Sequence, residues 1–334
     1  MIRTIHVGVG ARGTWPIKVL GADPRFEPVA LVDISRDALV QAQLMLRLSD
    51  SALFGDLQAA LSVVEADAVV ICTPTVTHAR LARLAFMHGK HVLVEKGMTM
   101  DWQEANALVR EAEQAGVRFC VAQNYRYFAN MATIKQLLAT PEHPHYPGAF
   151  QIVDFIHHRY RPEPRTLNYP YAMVWDMSCH HVDLLAFWLG EARRVSAVSY
   201  NPSWSMYEHD ANIAAVIEYT SGAVCHYSLT HSATIGDWRI ILQGEHGALR
   251  TADVPGVMYY PRPASQLGTR EPLPCELVQS QASEQGVVDD FHRFIAEGIE
   301  PGISGRNNLQ TLAVCEMLVR SARARCPVER AELD

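Results

Sequence analysis

A chain of 334 residues is about twice the length of an ordinary domain, so two domains with separate hydrophobic cores are expected. The 29 basic and 36 acidic residues give a net charge of −7 without any block of like charges, which excludes the basic surface that nucleic acid requires and points to a small molecule as partner. Seven cysteines (Cys72, Cys120, Cys179, Cys225, Cys275, Cys315 and Cys326) form no C-x-x-C pair, no run approaches the ~20 apolar residues of a membrane span, and the opening MIRTIHVGVG has no apolar stretch of signal length, so a cytoplasmic protein with free thiols is expected.

The first predicted element is a strand in TIHVGVG that runs into a tight turn and then a helix, where Trp15, Val19 and Leu20 take up helical spacing. The turn holds Gly8-x-Gly10-x-x-Gly13, with Ala11 and Arg12 between the glycines. That pattern puts glycine where the chain bends, where backbone must approach a pyrophosphate, and where helix packs on strand. A second strand, PVALVDI, ends in Asp33, twenty residues after Gly13, where a carboxylate can hold the ribose diol of a dinucleotide. Asp33 repels a 2′-phosphate, so NAD is favoured, while Arg36 at the start of the next helix keeps NADP open.

Strands in DAVVICTP, HVLVEKG and VRFCVAQN alternate with helices in THARLARLAFMHG and DWQEANALVREAEQAG. This alternation predicts a doubly wound parallel sheet over residues 1–122, with ligands beyond the strand ends at Thr73, Pro74, Glu95, Lys96 and Asn124. From residue 123 to 334 the rhythm changes. AFQIVDFIHHRYRP, RRVSAVSYN, ANIAAVIEYTSGAVCHYSLTHS and WRIILQGEHGALRTAD read as strands of an antiparallel sheet, with reversals at Thr220-Ser221-Gly222 and between Gly244 and Gly247. Two helices, EQGVVDDFHRFIAEG and GRNNLQTLAVCEMLVRSARA, close the chain.

Between these strands lies WDMSCHHVDL, residues 175–184, where Asp176, His180 and Asp183 share one helical stripe and His181 turns toward Leu184, Leu185 and Trp188. Asp183 reads as a holder of backbone or of a neighbouring side chain rather than of substrate. His and Asp one turn apart can chelate a metal, but no third ligand stands at a recognisable spacing, even with pairs at His88/His91, His143/His145 and His157/His158, and no metal is expected. Proton transfer suits the segment better, because imidazole with a reference pKa of ~6.5 accepts a hydroxyl proton near neutrality. The preceding loop offers Tyr160, Tyr169, Tyr171 and Trp175 as platforms for a sugar ring, and Arg159, Arg161 and Arg165 read as a solvated face that also allows an acidic or phosphorylated substrate.

Taken in order, GVGARG, CTPTVTHARLARLAFMHGKHVLVEKG, AQNYRY, WDMSCHHVDLLAFWLG and SGRNNLQTLAVCEMLVRSA resemble the glucose-fructose oxidoreductase, inositol dehydrogenase and rhizopine catabolism family, Gfo/Idh/MocA, over nearly the whole chain. The resemblance implies α/β architecture: an N-terminal Rossmann domain and a C-terminal α/β domain on a large, mostly antiparallel open sheet that also serves oligomerisation, as homodimer or homotetramer. It implies an NAD(P)-dependent oxidoreductase acting on a hydroxyl or carbonyl carbon of a sugar, inositol or related polyol. Lys96 matches the lysine of the family's E-K-P motif, Asp176 and His180 its D-x-x-x-H motif, and Thr73, Pro74 and His78 its T-P-x-x-x-H loop along the cofactor, which includes Thr75.

The expected catalytic set is therefore Lys96, Asp176 and His180. Tyr125, Arg126, Tyr160 and Trp175 join them at the substrate, and Gly8, Gly10, Ala11, Arg12, Gly13, Asp33, Arg36, Thr73, Pro74, Thr75, His78, Glu95, Lys96 and Asn124 hold the cofactor. Two departures stand out: Gly97 replaces the family proline after Lys96, and Ser178 stands where a glycine is common. Two other readings stay open, a redox-assisted lyase or glycosidase that retains its NAD, and a cofactor-binding sensor or scaffold, to which Gly97 points.

Overall fold

The computed structural model describes residues 1–164, 166–251, 256–262, 271–279 and 282–333; Arg165 of the loop and Ala252 and Asp253 of an expected strand lie outside the described residues. The chain forms two compact units, residues 1–124 with 281–309, and residues 125–280 with 310–334. Elements are numbered along the chain.

In the first unit, β1 (Ile2–Val7), β2 (Phe26–Val32), β3 (Leu53–Phe54), β4 (Ala68–Ile71), β5 (His91–Val94) and β6 (Phe119–Val121) form, among the described residues, a six-stranded parallel sheet in the order β3-β2-β1-β4-β5-β6. The order reverses between β1 and β4, the crevice where such sheets bind ligands. All of Ala68–Ile71 is buried, as expected of a strand covered on both faces. The returning helices are α1 (Thr14–Ala22), α2 (Arg36–Leu46), α3 (Leu57–Val63), α4 (His78–Met87) and α5 (Trp102–Gln114). Ser35, Asp56 and Asp101 cap α2, α3 and α5 by accepting the N–H of Ala38, Ala59 and Glu104.

The sequence pattern suggests one boundary, after residue 122, yet the first unit also takes in 281–309. The reason is packing. Helix α8 (Ser283–Glu297) buries Val287, Val288, Phe291 and Phe294, and Phe291 stacks on Phe26 of β2 with ring centres 6.4 Å apart. Arg25 pairs with both Asp23 and Asp289, and the Ile303 carbonyl accepts the N–H of Val121 at the edge of β6 (2.9 Å).

In the second unit, α6 (Ala129–Leu138) precedes β7 (Ile152–Tyr160), and α7 (Cys179–Leu189) leads into β8 (Ala192–Tyr200), β9 (Asn212–Tyr219), β10 (Val224–Thr230), β11 (Ser232–Gln243), β12 (Gly247–Thr251), β13 (Met258–Pro261) and β14 (Leu273–Pro274). Helix α9 (Gly305–Ala324), which belongs to this unit from residue 310, and β15 (Val328–Glu329) follow. Among the described residues the strands form a nine-stranded sheet, β14-β13-β12-β11-β7-β10-β9-β8-β15, antiparallel except for the β7/β10 pair. The β9–β10 reversal falls at Thr220-Ser221-Gly222, with Gly222 at φ 88°, and Gly244 N–H bonds the Gly247 carbonyl (2.9 Å) between β11 and β12. Alternation turns Val153, Phe155 and His157 of β7 and Cys225, Tyr227 and Leu229 of β10 to the same face, and α7 lies on it.

Candidate active site

The glycine turn of the first unit is built so that side chains are excluded. Gly8 has φ 78°, and a Cβ there would sit 2.6 Å from the Cys72 carbonyl oxygen; a Cβ on Gly13 would collide with the Gly8 carbonyl, whereas one on Gly10 would meet nothing within 4 Å. Gly8 and Gly13 are thus required by the turn itself, and Gly10 leaves open space beside the backbone. No side chain caps the first turn of α1, which leaves N–H groups there without a side-chain acceptor. Asp33 is fixed by its own neighbours, Oδ2 accepting the N–H of Val9 and Oδ1 that of Ser35, both at 2.8 Å. Ile34, which sequence reasoning passed over, is 99% exposed directly after that carboxylate, an apolar surface of the kind an adenine covers; Arg36 stands exposed at the start of α2. Ala11 is exposed, its carbonyl accepting the Thr14 hydroxyl (2.9 Å).

At the ends of β4 and β5 the remaining cofactor candidates hold one another. Buried Glu95 accepts Arg12 Nε and Trp15 Nε1 on Oε1 (both 2.8 Å) and the Lys96 N–H on Oε2 (2.9 Å), which ties the glycine turn to the end of β5. Trp15 thus has a polar role beyond its place in the helix. His78, the first residue of α4, is buried with Nδ1 2.8 Å from the Gly97 carbonyl and Nε2 2.8 Å from the Thr73 carbonyl. Burial, the largest influence, lowers its pKa, and the two carbonyls and Glu95 oppose that. Pro74 precedes a single helical turn, Thr75–Thr77, in which the Thr77 hydroxyl donates to Thr73 Oγ1 (2.7 Å). Lys96 is half-buried, and its peptide bond to Gly97 is cis. Asn124 is 7% exposed; its Nδ2 donates to Ser283 Oγ (3.2 Å), while its Oδ1 is buried without a donor among the described residues. A side-chain-free cradle, a fixed ribose carboxylate and an orphaned carbonyl oxygen fit a dinucleotide.

In the second unit the expected helical stripe is modified. Residues Val174–Ser178 form a π-helical turn that continues into α7, so Asp176 and Asp183 are not related by regular α-helical spacing. Asp176 stays half-buried, whereas Asp183 is fully buried and grips Arg126 through two hydrogen bonds (2.6 and 2.7 Å) and accepts from the Thr311 hydroxyl (3.1 Å). Arg126, expected at the substrate, directs its guanidinium to Asp183 and lies over the Phe187 ring. Trp175, expected to stack on a sugar, is 8% exposed; Tyr160 is 56% exposed at the end of β7; Tyr169 packs on the cluster of Ala172, Tyr207 and Ala211; and Tyr171 lies under Arg323.

His180, 4% exposed, stacks face to face on Tyr125, with ring centres 4.1 Å apart and planes 9° from parallel. Beneath it runs a buried chain that sequence spacing did not reveal. His157 Nδ1 lies 3.0 Å from His181 Nε2, His181 Nδ1 lies 2.8 Å from the Tyr227 hydroxyl, and that hydroxyl lies 2.7 Å from Ser178 Oγ. Ser178 belongs to the π-helical turn, so strand β10 is bonded to the segment that carries Asp176 and His180. Burial drives the His181 pKa well down and that of His157 to about 3, which keeps both rings neutral at ordinary pH. Trp238 of β11 walls this chain, its ring edge-on to His157 at 4.1 Å and to Tyr125 at 6.3 Å.

Among the described residues no group of three or more His, Cys, Asp or Glu side chains is arranged to hold a metal ion, and no helix is long and apolar enough to cross a membrane. All seven cysteines are free thiols, Cys326 exposed.

Comparison with known proteins also divides the chain near residue 123, although its C-terminal match runs through residues 281–309. Residues 2–123 match the family described as "Oxidoreductase family, NAD-binding Rossmann fold", and residues 172–329 the corresponding "C-terminal alpha/beta domain". The chain is 26% identical over 298 residues to D-apiose dehydrogenase of Paraburkholderia graminis, covering 84% of this chain and 78% of that one. It is 26% identical over 274 residues to inositol 2-dehydrogenase of Rhizobium meliloti, covering 76% and 78%. An oxidoreductase from Agrobacterium radiobacter, solved with NAD+, L-tartaric acid and magnesium, shares the fold at a TM-score of 0.85 and 17% identity over 100% of this chain and 99% of its own. With its glycine cradle and both halves matched, the chain belongs to the Gfo/Idh/MocA oxidoreductases and carries their NAD-binding Rossmann domain.

Proposed function

We propose that the chain is an NAD-dependent dehydrogenase or reductase for a hydroxyl or carbonyl carbon of a sugar, inositol or related polyol. The observation that carries this reading is His180, buried and stacked on Tyr125 on the same short segment as half-buried Asp176. The names of the apiose and inositol relatives support the substrate class. NAD, when bound, supplies the hydride acceptor. His180 takes the hydroxyl proton as the carbon is oxidised and returns it in the reverse direction. Asp176 binds the substrate or fixes the imidazole tautomer, and Lys96 polarises the reacting oxygen. Asp33, held by two backbone N–H groups, favours NAD over NADP because it cannot turn away from a 2′-phosphate. The proposal extends to a homo-oligomer: the sheet face away from α7 exposes Ile152, Val198, Tyr200 and Val216, which a second copy would cover, and light scattering of the eluting protein would show a monomer if this extension is wrong.

A screen of polyols and sugars, followed by reduced-nicotinamide absorbance, tests the main reading. His180→Ala is expected to lower kcat by about 10²- to 10⁴-fold with NADH binding intact. Undiminished turnover in that variant would remove His180 as the base.

A further inference from the structure

One cation of the second unit has no assigned task. Arg159 closes the row of β7 residues that face α7, after Val153, Phe155 and His157. Its guanidinium is half-buried. Nε is sealed from solvent without an acceptor, and among the described residues the group makes one hydrogen bond, from Nη2 to His231 Nε2 at 3.3 Å. Neighbouring arginines of this unit are differently placed: Arg126 is clasped by Asp183, Arg161 faces Glu163 at 4.0 Å, and Arg239 faces Asp237 at 3.4 Å. No carboxylate of the described residues forms an ion pair with Arg159.

The surroundings hold the group in position. His231 accepts from Arg159 on Nε2 and, with its proton on Nδ1, donates to the Tyr207 hydroxyl at 3.3 Å; that hydroxyl donates in turn to the Arg161 carbonyl at 2.8 Å. Burial first, then Arg161, lowers the Arg159 pKa, and Tyr125, Asp176 and Tyr207 raise it. Two of those three, Tyr125 and Asp176, belong to the proposed reaction site, so the guanidinium lies within its electrostatic reach. A half-buried guanidinium with donors to spare is poorly compensated by protein alone, and its planar fork matches a carboxylate.

We propose that the substrate is a carboxylate-bearing polyol, an aldonate- or uronate-like hydroxy acid, whose carboxylate is held by Arg159 while its reacting hydroxyl lies at His180. This rests on the dehydrogenase reading for the second contact and on Arg159 alone for the first.

Titration calorimetry of the NADH-loaded full chain tests it with matched pairs, D-gluconate against sorbitol and D-glucuronate against D-glucose. The acids are expected to bind about 10- to 100-fold more tightly than their neutral partners. Arg159→Gln should erase that preference and leave the neutral affinities unchanged; Arg159→Lys should keep part of it. Melting curves and NADH fluorescence establish that both variants are folded. Equal affinity within the pairs, absence of acid binding, or a preference that survives Arg159→Gln overturns the proposal. The two readings fail separately. Turnover of neutral polyols with the acids ignored keeps the dehydrogenase and removes the carboxylate site, whereas Arg159-dependent acid binding without any hydride transfer does the reverse.

Discussion

The two units build their sites from different materials. In the first, the residues that matter shape backbone: Gly8 and Gly13 exclude a Cβ, Asp33 holds the N–H groups of Val9 and Ser35, and His78 sits between two carbonyls. In the second, side chains from separate strands meet around α7, as His157, His181, Tyr227 and Ser178 do. A backbone site is fixed by local spacing and fails abruptly when one atom is added. A side-chain network is assembled over long sequence distances and weakens one hydrogen bond at a time.

The largest expected effect breaks the backbone site. Gly13→Ala should lower NADH affinity by roughly a hundredfold or more and depress the melting temperature, because the new methyl has no room. Gly10→Ala is its control: a Cβ there meets no protein atom within 4 Å, so melting should stay within about 0.5 kcal/mol of the parent while NADH affinity drops about tenfold. Equal loss of stability in both variants would mean that the turn, and not the approach of a ligand, sets the requirement at Gly10.

The next effect sharpens the comparison through pH. His6 of β1 is 2% exposed, its Nε2 lies 3.0 Å from the Thr4 hydroxyl, and burial lowers its pKa from the ordinary 6.5 to about 4. The unfolded chain gains a proton as pH falls through 6.5, whereas the folded chain does not until about 4. Stability from this group is therefore full above 6.5, declines down to about 4 and is flat below, a loss of about 3 kcal/mol measurable by urea melts across that window. His6→Val should flatten the decline, and an unchanged slope would assign it to other groups.

Tyr227→Phe has the smallest expected effect and probes the network. It keeps the ring and removes the hydroxyl that joins His181 to Ser178, with an expected loss of about 2 kcal/mol in stability. If the network positions the segment of Asp176 and His180, kcat falls about tenfold while KM stays nearly constant. Lost stability with unaltered kcat would make the chain of hydrogen bonds purely structural.

The same contrast explains what was legible beforehand. The parallel sheet, its glycine turn and Asp33 follow from apolar runs and fixed spacings, because β-α-β geometry is local. The hairpin reversals at Gly222 and Gly244 were readable for the same reason. The π-helical turn is not legible: the sequence reads as a regular period through Asp176 and Asp183, and what anchors Ser178 comes from Tyr227, 49 residues away. Arg126 looked like a substrate contact because its partner, Asp183, lies 57 residues on. Glu95 stood at a strand end as expected, but its links to Arg12 and Trp15 depend on how the turn folds back over β5.

The return of residues 281–309 to the first unit has a bearing on biosynthesis. Phe26 lacks its aromatic cover, and the rim of β6 its last main-chain bond, until Phe291 and Ile303 have been translated. The nucleotide-binding unit is therefore completed only after residues 125–280 of the other unit have been made, and a nascent chain halted before that stretch carries an unfinished Rossmann layer.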